Sequence, residues 1–152
     1  MIMRKSTYLI GVSSSVLFFI GAIFKILHWP LAGIFLTLSV LLFALGYALL
    51  LLGDKNKIAQ NSYQKFVNWM TFAAMVIVSV SFLFKAQHWP GAGLLIYAAH
   101  AVLVVMIPVL FIQGSKESDP VRKLNINNIA VILTFITAVS LFIWLRTMSI
   151  HP

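Results

Sequence analysis

The chain has no cysteine and few charged residues. Of its 152 residues, 9% are charged, three acidic and eleven basic. Without cysteine there is no disulfide framework, thiolate metal site or lipid-attachment cysteine. Paired carboxylates, a glycine-rich phosphate loop, an H-E-x-x-H pattern and a recognisable nucleophile with its base are also missing from the sequence. We therefore expect no enzyme, no catalytic residue, no resident metal and no cofactor.

Hydrophobic residues, in contrast, make up 61% of the chain. That share is typical of integral membrane proteins, and a crossing of the hydrocarbon core needs about 20 apolar residues in a helix. The sequence therefore predicts an all-α integral membrane protein with five transmembrane helices. Their apolar segments are 8–27, 31–53, 66–84, 91–112 and 129–145.

The basic residues indicate how these helices are oriented, because Lys and Arg accumulate in cytoplasmic loops. With the N-terminus inside, eight of the eleven lie in the cytoplasm, and only Lys25, Lys85 and Arg146 lie outside. We therefore predict a cytoplasmic N-terminus and a periplasmic C-terminus in a bacterial inner membrane. The formal net charge of +8 is then explained by contact with lipid headgroups, and no nucleic acid partner is expected.

A ten-residue segment occurs twice, which indicates an internal duplication. Residues 24–33 read FKILHWPLAG and residues 84–93 read FKAQHWPGAG, so seven of ten positions are identical. Each copy joins two apolar segments, which predicts tandem helical hairpins related by pseudo-two-fold symmetry about the membrane normal, followed by one extra helix. The predicted division is 1–53 for the first hairpin, 54–65 for a cytoplasmic linker, 66–114 for the second hairpin, 115–127 for another linker and 128–152 for the last helix with its outer tail.

Each position of the repeated motif has a structural interpretation as a tight turn at the outer membrane interface. Lys25 lies in the last turn of an outgoing helix, where the helix dipole favours a cation. His28 can donate a hydrogen bond to carbonyls left unpaired at that end, and Trp29 suits the interface. Pro30 is expected to start the return helix, and Gly33 removes bulk where the helices approach. The same roles fall to Lys85, His88, Trp89, Pro90 and Gly93 in the second copy.

The F-K-x-x-H-W-P motif resembles the membrane hairpin of the gliding-motility protein GldL and its PorL relatives in Bacteroidota. Members of that family form the inner-membrane part of a proton-driven motor for type IX secretion and gliding. The resemblance covers one hairpin at a time, 8–53 and again 66–113. It implies an inner-membrane location, a periplasmic turn and assembly with a partner membrane protein. By position, Lys25 and His28, and again Lys85 and His88, match the family's membrane Lys and His.

The chain departs from that family at the residue that would carry the motor chemistry. The GldL family places a buried carboxylate on the helix after the turn, whereas neither 31–53 nor 91–113 contains Asp or Glu here. The three acids, Asp54, Glu117 and Asp119, fall in the predicted cytoplasmic connections. The pair Asp119-Pro120 predicts an N-cap followed by proline at the first position of the last helix. The sequence therefore favours a non-catalytic scaffold or accessory subunit that contacts the lipid bilayer and either another integral membrane protein or a second copy of itself.

Two alternatives remain open at the level of sequence. His100 is the one ionisable residue near the middle of a predicted crossing, so it indicates either a small transporter or channel, or a structural hydrogen bond to Ser39, Thr71 or Ser79. His28 and His88 would converge under the pseudo-symmetry. They are therefore candidates for holding haem, quinone or a metal, or for capping the hairpins.

Overall fold

The computed structural model describes residues 4–59 and 61–149, and within them the chain forms five helices and no strand. The prediction of an all-α fold is confirmed. Four helices are long and apolar enough to cross a membrane. The fifth predicted crossing, 129–145, falls in the last helix, where the side chains of residues 139 and 142–149 lie outside the described residues. The helices are α1 (Lys5–Ile26), α2 (Ala32–Ile58), α3 (Ser62–Ala86), α4 (Ala92–Lys116) and α5 (Pro120–Ser149).

Both predicted linkers are mostly helical, because the helices extend beyond their apolar segments. Helix α2 continues to Ile58, and α3 starts at Ser62 with the Asn61 carboxamide oxygen accepting from the Gln64 amide at 2.8 Å. Helix α5 starts at Pro120, and Asp119 caps it by accepting from the amides of residues 121 and 122 at 2.9 and 3.0 Å. The sequence predicted this cap, with proline at the first helical position.

The chain divides into two compact units, residues 1–96 and 97–152. In the first, α1 and α3 both pack on α2. Its core contains Leu36, Val40 and Leu83, with Phe18 and Val80 against them. The rings of Phe18 and Phe82 lie 5.2 Å apart, which joins α1 directly to α3.

Helices α1 and α2 approach closely where glycine replaces a side chain. A Cβ at Gly21 would lie 2.9 Å from the Leu36 amide nitrogen, and one at Gly11 would lie 2.7 Å from the Tyr47 ring. Tyr47 belongs to a π-helical stretch of α2, Leu42–Ala48. Small residues thus allow the two backbones to pack at short range, as membrane helices often do.

The far end of this hairpin is fixed by the acid Asp54. Its carboxylate accepts from the Thr7 hydroxyl at 2.9 Å and pairs with Arg4 Nε at 3.2 Å. Thr7 is fully buried, and Asp54 is mostly buried. Asp54 therefore links the start of α1 to the end of α2.

In the second unit α4 and α5 run antiparallel. Gly114 lies against Asn127, so that a Cβ on the glycine would overlap the carboxamide oxygen. About four turns away, His100 Nε2 lies 3.0 Å from Ser140 Oγ. From the first contact to the second, the residue number falls by 14 in α4 and rises by 13 in α5, as expected for two antiparallel helices. Pro108 lies inside α4, where it removes one backbone hydrogen bond.

Candidate functional site

The first copy of the repeated motif ends α1 with a Schellman cap. The Trp29 amide donates to the Phe24 carbonyl at 2.8 Å, and the His28 amide donates to the Lys25 carbonyl at 3.3 Å. These are the two bonds of that motif, and its usual hydrophobic contact is supplied by the rings of Phe24 and Trp29, whose centroids are 5.0 Å apart. The F, K, H and W of the motif therefore all take part in one cap that ends the helix.

The second copy repeats this geometry at the end of α3. The Trp89 amide donates to the Phe84 carbonyl at 2.9 Å, and the His88 amide donates to the Lys85 carbonyl at 3.2 Å. The rings of Phe84 and Trp89 lie 5.1 Å apart. The duplicated sequence therefore produces a duplicated backbone.

Both histidines adopt the left-handed conformation at the residue after the helix, with φ of 55° at His28 and 56° at His88. Glycine is the usual residue there, although histidine is one of the side chains that enter this region more often than most. The predicted capping role is filled by the histidine backbone amides and not by their imidazoles. The imidazoles are exposed and are not needed to end the helix.

The sequence predicted that each proline begins a return helix, but in the structure each proline precedes that helix. Helices α2 and α4 begin at Ala32 and Ala92, two residues after the prolines. Residues 29–32 and 89–92 fit a type II turn, which takes proline at its second position and a positive φ at its third. That third residue is Leu31, with φ of 70°, in the first copy and Gly91, with φ of 84°, in the second.

The fold brings the two turns together. Gln87 Nε2 donates to the Gly33 carbonyl at 2.9 Å, and a Cβ at Gly33 would lie 3.0 Å from the same side chain. No atom of the described residues lies within 4 Å of a Cβ at Gly93, whereas the small residue allows close approach in the first copy. Sequence reasoning missed Gln87 because it is one of the three motif positions that differ between the copies.

An open pocket of about 410 Å³ lies between the two turns. Its basic side chains come from both motifs, and the two histidines predicted to converge do line it together. Lys85 is not among the lining residues, which are Lys25, His28, Trp29, Leu31, Ala32, Gly33 and His88. Within the described residues no three His, Cys, Asp or Glu side chains are grouped as a metal site would require.

His100 lies apart from this pocket in sequence and takes a partner other than the three predicted. Ser140 Oγ lies 3.0 Å from His100 Nε2 and also 3.0 Å from the Thr137 carbonyl, to which it can donate. The buried Thr137 hydroxyl has no hydrogen-bond partner among the described residues. The predicted partners instead donate to carbonyls of their own helices, Ser39 to Leu36, Thr71 to Val67 and Ser79 to Val76.

Comparison with known proteins returned no family model, no curated protein and no solved structure similar to this chain. The resemblance to the gliding-motility family therefore depends on the repeated motif alone and stays a prediction.

Proposed function

We propose that the chain is a non-catalytic, multi-pass subunit of a complex in a bacterial inner membrane. Membrane insertion is supported by the apolar side chains that the helices expose. Phe19 is 68% exposed, Leu94 75% and Phe135 70%, and large hydrophobic residues are exposed along every helix. A soluble protein rarely exposes so much apolar surface, whereas lipid covers it.

The observation that carries the scaffold role is how the polar groups of the apolar helices are used. The hydroxyls of Ser14, Thr37, Thr71 and Ser81 each donate to a carbonyl of their own helix. No Asp or Glu occurs between residues 5 and 53 or between 62 and 116. Polar groups that are already paired within one helix offer no chain of sites for an ion, so this arrangement favours packing over transport.

Assembly with a partner is supported by the resemblance and by the small size of the chain. In this proposal the two motif turns face the periplasm and the end near Asp54 faces the cytoplasm. The exposed apolar faces contact lipid and either another integral membrane protein or a second copy of the chain. The GldL-like hairpin would then contribute contacts that hold the complex together, and it lacks the carboxylate that drives a motor.

Affinity purification of the tagged chain from its native membrane in mild detergent, followed by mass spectrometry, tests the partner. Stoichiometric recovery of a second membrane protein, or a defined homo-oligomer, is the expected result. A monomer with no partner would contradict the subunit role. An absorption band in the same sample would instead favour a haem or quinone carrier.

The absence of cysteine makes the chain a ready background for testing its orientation. Single Leu31→Cys and Lys57→Cys variants, both at exposed positions, should react oppositely with a membrane-impermeant thiol reagent. In intact spheroplasts we expect Leu31→Cys to be labelled and Lys57→Cys to be labelled only after permeabilisation. The reverse pattern would invert the topology, and labelling of both would argue against the membrane barrier.

A second candidate function, a small transporter or channel, is favoured by the polar group of His100, Ser140 and Thr137. A His100→Ala variant reconstituted in liposomes tests it through proton flux, with His100→Gln as a control that keeps a hydrogen-bonding side chain. Loss of an existing flux in a folded His100→Ala protein would support transport. Absence of flux in the unmodified protein would remove this candidate.

A further inference from the structure

We infer that the pocket between the two motif turns binds a phosphate group, with a phospholipid headgroup as its source. Its three titratable lining residues, Lys25, His28 and His88, are all basic. Its volume of about 410 Å³ falls in the range of small-ligand pockets. The inference concerns residues 1–96 and does not require the proposed partner.

Within residues 1–96, Lys25 has no nearby acid to neutralise its charge. Of the three acids in the sequence, Asp54 is held by Arg4 and Thr7 at the opposite end of the α1–α2 hairpin. Glu117 and Asp119 belong to the second unit, and no carboxylate lines the pocket. A basic pocket without a carboxylate attracts anions, and Lys is a common ligand of phosphate.

The backbone around the pocket also favours an anion. Ala32 and Gly33 line it and are the first two residues of α2, where amides have no carbonyl partner within the helix and the helix dipole is positive. At the opposing end of α1 the carbonyls of Phe24 and Lys25 already accept from the Schellman amides. The negative end of α1 is therefore partly satisfied, while the positive end of α2 is open to a ligand.

The apolar lining favours a lipid over free phosphate. Trp29 and Leu31 are half-exposed or more, at 52% and 58%, and stand beside the basic side chains. A phospholipid presents the same pairing, an anionic phosphate next to an apolar chain. Free phosphate would use the basic residues but gain nothing from the indole and the leucine.

Native mass spectrometry of the detergent-purified protein, with titration of short-chain phosphatidylglycerol or inorganic phosphate, tests this inference. The variant Lys25→Gln/His28→Asn/His88→Asn removes the basic groups while asparagine still tolerates the left-handed conformation. We expect phosphatidylglycerol to bind this variant about tenfold more weakly. Lys85→Gln, which removes the equivalent lysine outside the pocket, should bind as the unmodified protein does.

The outcomes separate the sources of the phosphate. Lipid binding that depends on the three residues, with weak or no binding of inorganic phosphate, supports a headgroup site. Inorganic phosphate binding as tightly as the lipid would keep the phosphate site but overturn the lipid source. Equal loss in Lys85→Gln, or no loss in the folded triple variant, would overturn the inference. A partner recovered from the membrane would leave each of these results unchanged, so the two proposals fail separately.

Discussion

The two copies of the motif fold into the same turn but serve different neighbours. Both end a helix with the same pair of amide bonds, a left-handed histidine and an aromatic contact. Only the lysine of the first copy lines the pocket. The second copy contacts the first through Gln87, which donates to the Gly33 carbonyl. Residues shared by the copies therefore determine how the helix ends, whereas Gln87, which differs between them, makes the contact between the turns.

The returning helices of the two copies also differ in sequence at a corresponding place. The first copy interrupts its helix with a π-helical stretch at Leu42–Ala48, and Pro108 of the second copy lies sixty residues beyond Ala48. Both devices disturb the regular hydrogen-bond ladder, one by an extra residue per turn and one by removing a donor. Each of the two helices therefore has an irregular hydrogen-bond pattern near the corresponding position, although different residues cause it.

The largest expected effect comes from close packing that exists in the first copy. Gly21→Ala places a Cβ 2.9 Å from a backbone nitrogen that cannot move aside, so we expect a loss of about 1–3 kcal/mol of stability. Gly93→Ala, whose Cβ has no atom of the part of the chain that the structure describes within 4 Å, should be neutral or stabilising. Thermal unfolding in detergent compares the two. Equal melting temperatures would show that α1 and α2 leave room for a methyl group at residue 21.

The third position of the type II turn gives the next effect, because the copies differ there. Gly91→Leu gives the second turn the residue of the first and should cost about 1–2 kcal/mol, since a side chain is disfavoured at positive φ. Leu31→Gly should relieve that cost and raise the unfolding temperature. If the two exchanges shift stability in the same direction, the turns do not share one backbone.

Gln87 is the residue through which the second turn contacts the first. Gln87→Leu copies Leu27, the matching residue of the first motif, and removes the bond to the Gly33 carbonyl. We expect a loss of about 0.5–1.5 kcal/mol, the usual range for one hydrogen bond. The reciprocal Leu27→Gln is the control and should leave the unfolding temperature unchanged. A Gln87→Leu protein as stable as the unmodified one would argue that the turns are held together by packing alone.

The repeat and the composition were enough to predict helices, a pair of similar turns and the Asp119 cap, because each depends on local sequence. Three features were not predictable in this way. A Schellman cap usually shows itself by glycine, and here histidine takes that position. Ser140 as the partner of His100 depends on how α4 and α5 align. Gln87 acts through a contact between turns, which no sequence period encodes.

The smallest expected effect is that of pH on the cap of α5, because Asp119 makes this cap with a carboxylate whereas the backbone makes the caps at the two motif turns. The amides of Arg122 and Val121, with the charge of Arg122, lower the pKa of Asp119 below its ordinary value. Because the folded state favours the charged form, this contribution is present above the ordinary aspartate pKa of about 4 and is lost as pH falls through the lowered value. Asp119→Asn keeps an N-cap and should remove the acid response of α5, as measured by hydrogen exchange at its first turn. Amides at the two motif turns should show no such response to the titration of Asp119 in either protein, since the bonds of their caps join backbone amides to backbone carbonyls.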